Sequence, residues 1–120
     1  MMRIIVTTLD ECPIRGFELY VDNLSTNGLE CVKHAFDSMG IEFGTEQHHS
    51  NGTFVRSIAY QRSTKEWHWS IALEERDGSV NTSKEGIDSI DLNNRIAIAF
   101  IATEDDGRNN NTDYTGDASC

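Results

Sequence analysis

The longest uncharged apolar stretch of the chain is residues 96–102, which follows Arg95. When these residues are given the two-residue period of a β-strand, the large side chains of Ile96, Ile98 and Phe100 share one face. The opposite face carries mainly alanine and is also apolar. A strand that is apolar on both faces is typical of the middle of a sheet. We therefore predict that this segment is the central strand.

Two segments near the N-terminus predict a further pair of strands. Residues 3–9 are rich in β-branched side chains, which favour strands. In residues 17–22, the apolar side chains of Phe17, Leu19 and Val21 alternate with polar ones, as in a strand with one buried face. Because the connection between the two segments is short, we predict an antiparallel pair.

A helix is predicted between Asn27 and Gly40. An asparagine is a favoured N-cap residue, and a glycine commonly ends a helix in the left-handed conformation. The apolar residues between them recur at helical spacing and form one stripe. Its members are Leu29, Val32, Ala35, Phe36 and Met39. We expect this stripe to pack on the sheet.

The second half of the chain predicts a loop followed by a hairpin. Residues 41–52 are mostly polar and end in the turn signal Asn-Gly. Two strands follow, Thr53–Gln61 and Glu66–Glu75, and the four residues between them fit a hairpin loop. The second strand alternates clearly, and one face carries Trp67, Trp69, Ile71 and Leu73. This alternation fixes which face of the strand is buried.

These elements together predict an α+β protein with a single domain, residues 1–103. We expect a mostly antiparallel five-stranded sheet with one main helix packed on one face. The chain order is strand, strand, helix, strand, strand, a short helical turn carrying Ile87 and Ile90, and strand. Residues 104–120 hold five acids and a single aromatic residue. So little apolar surface does not offset the entropy of ordering, and we predict a flexible acidic tail.

The charge of the chain narrows the classes of partner. Twenty acidic residues against ten basic ones give a formal net charge of −10. Such a surface repels phosphate backbones, which argues against direct binding of nucleic acid. It attracts basic proteins and speeds their association. The same charge also keeps a small protein soluble, which is the simpler explanation.

The cysteines and the N-terminus predict a cytoplasmic protein. Cys12, Cys31 and Cys120 are an odd number without a CxxC spacing, as expected in a reducing compartment. The first residues lead directly into a strand-like segment rather than a signal peptide. The longest apolar stretch is far below the roughly 20 residues of a membrane-spanning helix, so no membrane association is predicted.

Candidate catalytic and metal-binding motifs are weak. His48, His49 and His68 are the natural metal ligands, but their spacing matches no HxH or HExxH pattern. Residues 105–113 resemble a calcium loop in composition and lack the glycine and glutamate that an EF-hand requires. No GxSxG, P-loop or GxGxxG motif occurs. We therefore predict no metal, cofactor or catalytic residue, and favour a protein that is not an enzyme.

A ligand-binding site near the predicted hairpin is an alternative. Bases and a histidine cluster there in the sequence, namely Arg56, Arg62, Lys65, His68 and Arg76. Together with the two tryptophans they could form a wall that binds an anion or a nucleotide. The competing explanation is that these bases pair with neighbouring acids at the surface. Stacking of RNA bases on the tryptophans is disfavoured by the net charge.

The function that fits these features best is binding to another protein. A small acidic α+β protein without catalytic motifs resembles, in fold class and charge only, inhibitors of the toxin-immunity or phage counter-defence type. We predict that it occupies a basic surface of a nuclease or other nucleic-acid-handling protein, and homo-oligomers are compatible with this. The predicted contact residues are Glu66, Glu74, Glu75, Asp77, Asp88 and Asp91. A small-molecule or nucleotide sensor or sponge, and a small enzyme, are the alternatives.

Overall fold

The computed structural model describes residues 2–9, 16–22, 26–48 and 52–104. The strands in chain order are β1 (Met2–Thr7), β2 (Phe17–Val21), β3 (Phe43–His48), β4 (Gly52–Ile58), β5 (Gln61–Arg62), β6 (Trp67–Glu75), β7 (Val80–Ser83) and β8 (Arg95–Glu104). One α-helix, α1 (Gly28–Met39), lies between β2 and β3, and a 3-10 helix (Ile87–Ser89) precedes β8. The predicted tail beyond Glu104 lies outside the described residues.

The main sheet has five strands in the order β2-β1-β8-β6-β7. Strands β1 and β8 are parallel, and the other three pairings are antiparallel. The α+β class with one main helix is therefore confirmed. The antiparallel pairing of β1 with β2 and the central position of β8 are confirmed as well. Strand β8 pairs along both edges, with β1 and with β6, as expected of the central strand of a sheet.

The predicted hairpin between Thr53–Gln61 and Glu66–Glu75 is wrong. Strand β4 pairs with β3 and β5 in a separate three-stranded sheet, so β4 has no free edge for β6. The chain turns back at Ala59 and Tyr60, just before the predicted loop of residues 62–65. The fifth strand of the main sheet is instead β7, which pairs with β6. The polar segment predicted as a loop, residues 41–52, contains β3.

The core lies between the main sheet and a layer formed by α1 and the small sheet. The Phe36 ring of α1 contacts three other aromatic rings, with centroid distances of 5.2 Å to Phe43, 6.3 Å to Phe100 and 6.5 Å to Phe17. The core face of the main sheet carries the side chains of alternate residues, as the strand period requires. They are Met2, Ile4, Val6, Trp67, Trp69, Ile71, Leu73, Ile98 and Phe100. The predicted buried face of β6 is thus confirmed.

Both ends of α1 are formed as predicted. The Asn27 side chain accepts a hydrogen bond from the Glu30 N–H (3.1 Å), and Gly40 ends the helix with φ of +71°. The buried stripe is rotated slightly from the predicted one. Met39 is 62% exposed, while Cys31 is buried. The buried residues of the helix therefore extend from its first residue, Gly28, to Phe36, and the last turn is exposed.

A β-bulge changes the predicted faces of β8. Glu74 is paired with Ala97 and Glu75 with Arg95, so Ile96 is an extra residue on β8. A bulge residue leaves the regular alternation and shifts the side chains next to it. Ile96 is 37% exposed and does not share the core face with Ile98 and Phe100, contrary to the prediction.

Candidate interaction surfaces

Five of the six predicted contact acids lie at one end of the main sheet. Here β6 ends, the turn to β7 follows, and the chain enters β8 from the 3-10 helix. We call this region the acidic end, and its acids are Glu74, Glu75, Asp77, Asp88 and Asp91. Glu66 precedes the opposite end of β6 and is exposed. The structure therefore brings five of these acids to one region and leaves Glu66 away from them.

Local hydrogen bonds fix the carboxylates of the acidic end. The Asp77 side chain accepts hydrogen bonds from the backbone N–H (2.9 Å) and the hydroxyl (2.7 Å) of Ser79. These bonds favour the charged form and lower the pKa of Asp77. Glu75 accepts a hydrogen bond from the Arg95 guanidinium (3.0 Å), and Asp91 accepts one from the Asn93 N–H (2.9 Å). These acids thus present charge in defined positions.

Asp88 has a different role, because its carboxylate joins two elements of the fold. It accepts hydrogen bonds from the Thr53 N–H (3.0 Å) and the Thr53 hydroxyl (3.3 Å) at the start of β4. The Asp88 backbone carbonyl also accepts a bond from the Asn27 side chain (2.9 Å). The 3-10 helix is therefore tied both to the small sheet and to the start of α1.

We expect Asp88→Ala to lower the free energy of unfolding by about 1–2 kcal/mol, because the part-buried Thr53 N–H loses its acceptor. Urea denaturation measures this value. The matched control is Glu85→Ala, at an exposed position three residues earlier, which we expect to change stability by less than about 0.5 kcal/mol. Equal effects of the two substitutions would show that the carboxylate of Asp88 does not join these elements.

The bases of the alternative ligand site are spread over the molecule. Arg56 on β4 forms an ion pair with Glu46 (2.8 Å). Arg62 lies on β5, and Lys65 is exposed in the connection to β6. The remaining two, His68 and Arg76, lie near the beginning and just beyond the end of β6, which is nine residues and therefore about 30 Å long. The structure does not bring these five residues together.

The surface of the main sheet opposite the core is not covered by any element of the described residues. We call it the open face. Strand register arranges its side chains in rows that cross the sheet. The first row is Tyr20, Arg3, Ala97, Glu74 and Val80, and the second is Glu18, Ile5, Ala99, Ala72 and Thr82. Beyond them lie Thr7, Ile101, Ser70 and His68.

The first row combines exposed apolar groups with charges. Tyr20 and Val80 are 57% and 63% exposed at its two ends. Between them, the Arg3 guanidinium lies 3.4 Å from the Glu74 carboxylate and 3.9 Å from that of Glu18. The Arg3 Nε is buried without a hydrogen-bond partner among the described residues. Exposed apolar side chains grouped with underused polar atoms are typical of an interaction surface.

A shallow hollow of about 240 Å³ lies within the first row, lined by Arg3, Tyr20, Glu74, Ile96 and Ala97. None of the five bases predicted for ligand binding lines it. Sequence reasoning missed this surface because alternation shows that a strand has two faces but not which of them stays uncovered. The only available signal was that Arg3, Glu18 and Tyr20 fall opposite the apolar positions of their strands.

Two further observations concern candidate chemistry. Burial raises the pKa of the Cys31 thiol, which keeps it protonated at neutral pH and unreactive as a nucleophile. Among the described residues, no three His, Cys, Asp or Glu side chains are grouped closely enough to hold a metal ion. Within the same residues, no helix has the length and apolar character needed to cross a membrane.

Comparison with known proteins adds no assignment. The chain matches no model of a protein family, and no curated protein matches it in sequence.

Proposed function

We propose that this protein is a cytoplasmic protein-binding module that occupies a basic surface of a nucleic-acid-handling partner, as toxin-immunity or phage counter-defence inhibitors do. The observation that supports the proposal is the acidic end, where Asp77 and Asp91 are exposed beside Glu75. Carboxylates held by their own turns lose little side-chain freedom when they pair with arginine or lysine on a partner.

The net charge of the whole chain favours the same kind of partner. With twenty acids against ten bases, long-range attraction steers a basic protein toward the molecule. Local charges then orient the basic protein on the surface, and the acidic end supplies several fixed carboxylates within one region. Exposed charges are largely screened from one another beyond a Debye length of about 8 Å at physiological salt, and this length shortens as salt is added, so the association is expected to weaken.

The test begins with affinity capture of a partner from the native host, followed by purification of that partner and measurement of the dissociation constant by calorimetry. We expect Asp77→Lys and Asp91→Lys, combined in one variant, to weaken binding by about tenfold or more, mainly through a slower association rate. The matched control combines Asp37→Lys and Glu85→Lys, two exposed acids that are not members of the acidic end, and it changes the net charge by the same amount.

Three results would count against the proposal. The first is a captured partner that is not basic. The second is a dissociation constant that does not rise with salt. The third is equal binding by the double variant and its control of equal charge, because net charge rather than the acidic end would then be responsible.

A further inference from the structure

We infer that two copies of this chain associate through their open faces, forming a symmetric dimer whose two-fold axis runs along β8. This inference does not rest on the proposed function, because it concerns a second copy of this chain rather than a basic partner, although Glu74 belongs to both the acidic end and the open face. It rests on the distribution of charge and side-chain size in the rows of the open face.

The first row is self-complementary about its centre. Ala97 lies on β8, and its register neighbours are Arg3 on β1 and Glu74 on β6. A rotation of 180° about an axis along β8 exchanges the two sides of the row. It places Arg3 over the Glu74 of the partner subunit, and Glu74 over the partner's Arg3. In such an isologous interface each favourable contact occurs twice.

The remaining positions also match in size. The same rotation places Tyr20 over the partner's Val80, so that two exposed apolar side chains of each copy become covered. In the second row it places the large Ile5 over the small Ala72 of the partner subunit, while Ala99 lies on the axis. Large side chains opposite small ones allow two sheets to interdigitate, with strands about 30° from alignment because of sheet twist.

The size of the surface is sufficient for a specific dimer. Five strands spaced by about 4.8 Å, with about six residues of each central strand, give a face of roughly 24 by 20 Å. Each copy therefore contributes about 500 Å² before the roughness of side chains is counted. The total of about 1,000 Å² is about the minimum expected of a biological interface.

The positive charge of Arg3 favours a second copy over a basic partner at this position of the open face. Arg3 lies beside Ala97, the central residue of the first row, and a cation of a basic protein placed there would meet like charge. A second copy instead supplies a carboxylate, and the Arg3 Nε currently has no hydrogen-bond partner among the described residues. Placing opposite charges together and like charges apart is what specifies one partner against another.

The experiment uses charge swaps on the full chain, with mass measured by sedimentation equilibrium. We expect the unmodified protein to have a mass of about 27 kDa, twice the 13.5 kDa of one chain. Arg3→Glu places two carboxylates against each other across the axis, and Glu74→Arg does the same with two guanidinium groups. Each variant alone is therefore expected to be monomeric, with dimerisation weakened roughly tenfold or more.

An equimolar mixture of the two variants provides the decisive result. In a mixed dimer, the new glutamate at position 3 faces the new arginine at position 74, and Glu74 of one copy faces Arg3 of the other. We expect the mixture to form dimers although neither variant does so alone. An ion pair within one chain cannot produce this result. Dimer formation by the mixture therefore distinguishes the proposed interface from the intramolecular Arg3–Glu74 contact.

Controls keep the test decisive. Arg62→Glu changes an exposed base of the small sheet and is expected to leave the dimer intact. Ala99→Glu places two carboxylates on the axis and is expected to give a folded monomer, as a second variant in case a charge swap disturbs folding. Circular dichroism reports folding in each case. A monomeric unmodified protein at submillimolar concentration, or a mixture of folded variants that stays monomeric, would overturn the inference.

Discussion

Phe36→Ala is expected to lower the free energy of unfolding by about 3–5 kcal/mol, the largest effect of any single substitution considered. Phe36 is fully buried where α1, the small sheet and the main sheet meet. Its ring meets Phe43 on β3, Phe100 on β8 and Phe17 on β2. Removing the ring leaves a cavity bordered by three elements, and none of them can close it without separating from another.

Guanidinium denaturation with far-UV circular dichroism measures this loss. The matched control is Met39→Ala on the same helix, whose side chain is largely exposed and whose loss is expected to cost less than about 0.5 kcal/mol. A loss below about 1.5 kcal/mol for Phe36→Ala would mean that the three elements repack around the cavity.

Much of the fold could be predicted because local signals and tertiary packing agree. The helix has an N-cap, an apolar stripe and a terminal glycine, and each of these appears in the structure. The alternation of Trp67, Trp69, Ile71 and Leu73 identified the buried face of β6 because register follows from it. The stripe of α1 was slightly misplaced, since spacing alone does not show whether Cys31 or Met39 faces the core.

The pairing of strands could not be predicted, for two physical reasons. Strand β3 has one large apolar residue, Phe43, and otherwise polar side chains, so its sequence resembles a loop. The turn between β4 and β5 contains Ala59 and Tyr60, neither of which is a usual turn residue. Because this turn has no recognisable sequence signal, β6 was predicted as the partner of β4, which pairs instead with β3 and β5.

The two candidate surfaces, the acidic end and the open face, could also be predicted only in part from the sequence. The surplus of acids is visible in the composition. Their grouping at the acidic end depends on the 3-10 helix and on β7, and the sequence did not predict β7. The symmetry of the open face depends on Arg3 and Glu74 being in one row. They are 71 positions apart in sequence, so only the order of strands brings them together.

The two proposals reinforce each other geometrically. A two-fold axis along β8 leaves the direction of that strand unchanged, so the acidic ends of both copies lie at the same end of the dimer. The carboxylates of Glu75, Asp77 and Asp91 in both copies then form one extended negative surface on an assembly with twice the charge of one chain, whereas Glu74 is covered in the dimer interface. A basic partner that spans both copies would be lost by the charge-swap monomers as well as by the Asp77→Lys and Asp91→Lys variant. Only the latter would keep the dimer.

The turn at Ala59 and Tyr60 carries the second large prediction. Their φ angles are +53° and +66°, in the left-handed region where side chains other than glycine are strained by about 1 kcal/mol or more each. A two-residue hairpin turn with both φ angles positive normally contains Asn-Gly. Tyr60 is 83% exposed, so its ring does not offset this cost by packing.

Glu42 holds the strained turn in place. The Glu42 backbone carbonyl accepts a hydrogen bond from the Ala59 N–H (2.8 Å), and the Glu42 carboxylate accepts one from the Tyr60 N–H (2.6 Å). The second carboxylate oxygen accepts a bond from the hydroxyl of Ser57, which is buried. The carboxylate thus satisfies a buried hydroxyl and fixes the turn at once.

We expect Glu42→Ala to lower the free energy of unfolding by about 2–3 kcal/mol, because Ser57 and the Tyr60 N–H lose a charged acceptor. Tyr60→Gly is expected to raise stability by about 1 kcal/mol, since glycine adopts positive φ without strain. In the double variant, Tyr60→Gly should raise the free energy of unfolding by less than it does alone, because the turn has already relaxed without the Glu42 carboxylate. Urea denaturation of the four proteins measures this coupling. A loss below about 0.5 kcal/mol for Glu42→Ala, or strictly additive effects, would show that the carboxylate does not hold the strained turn.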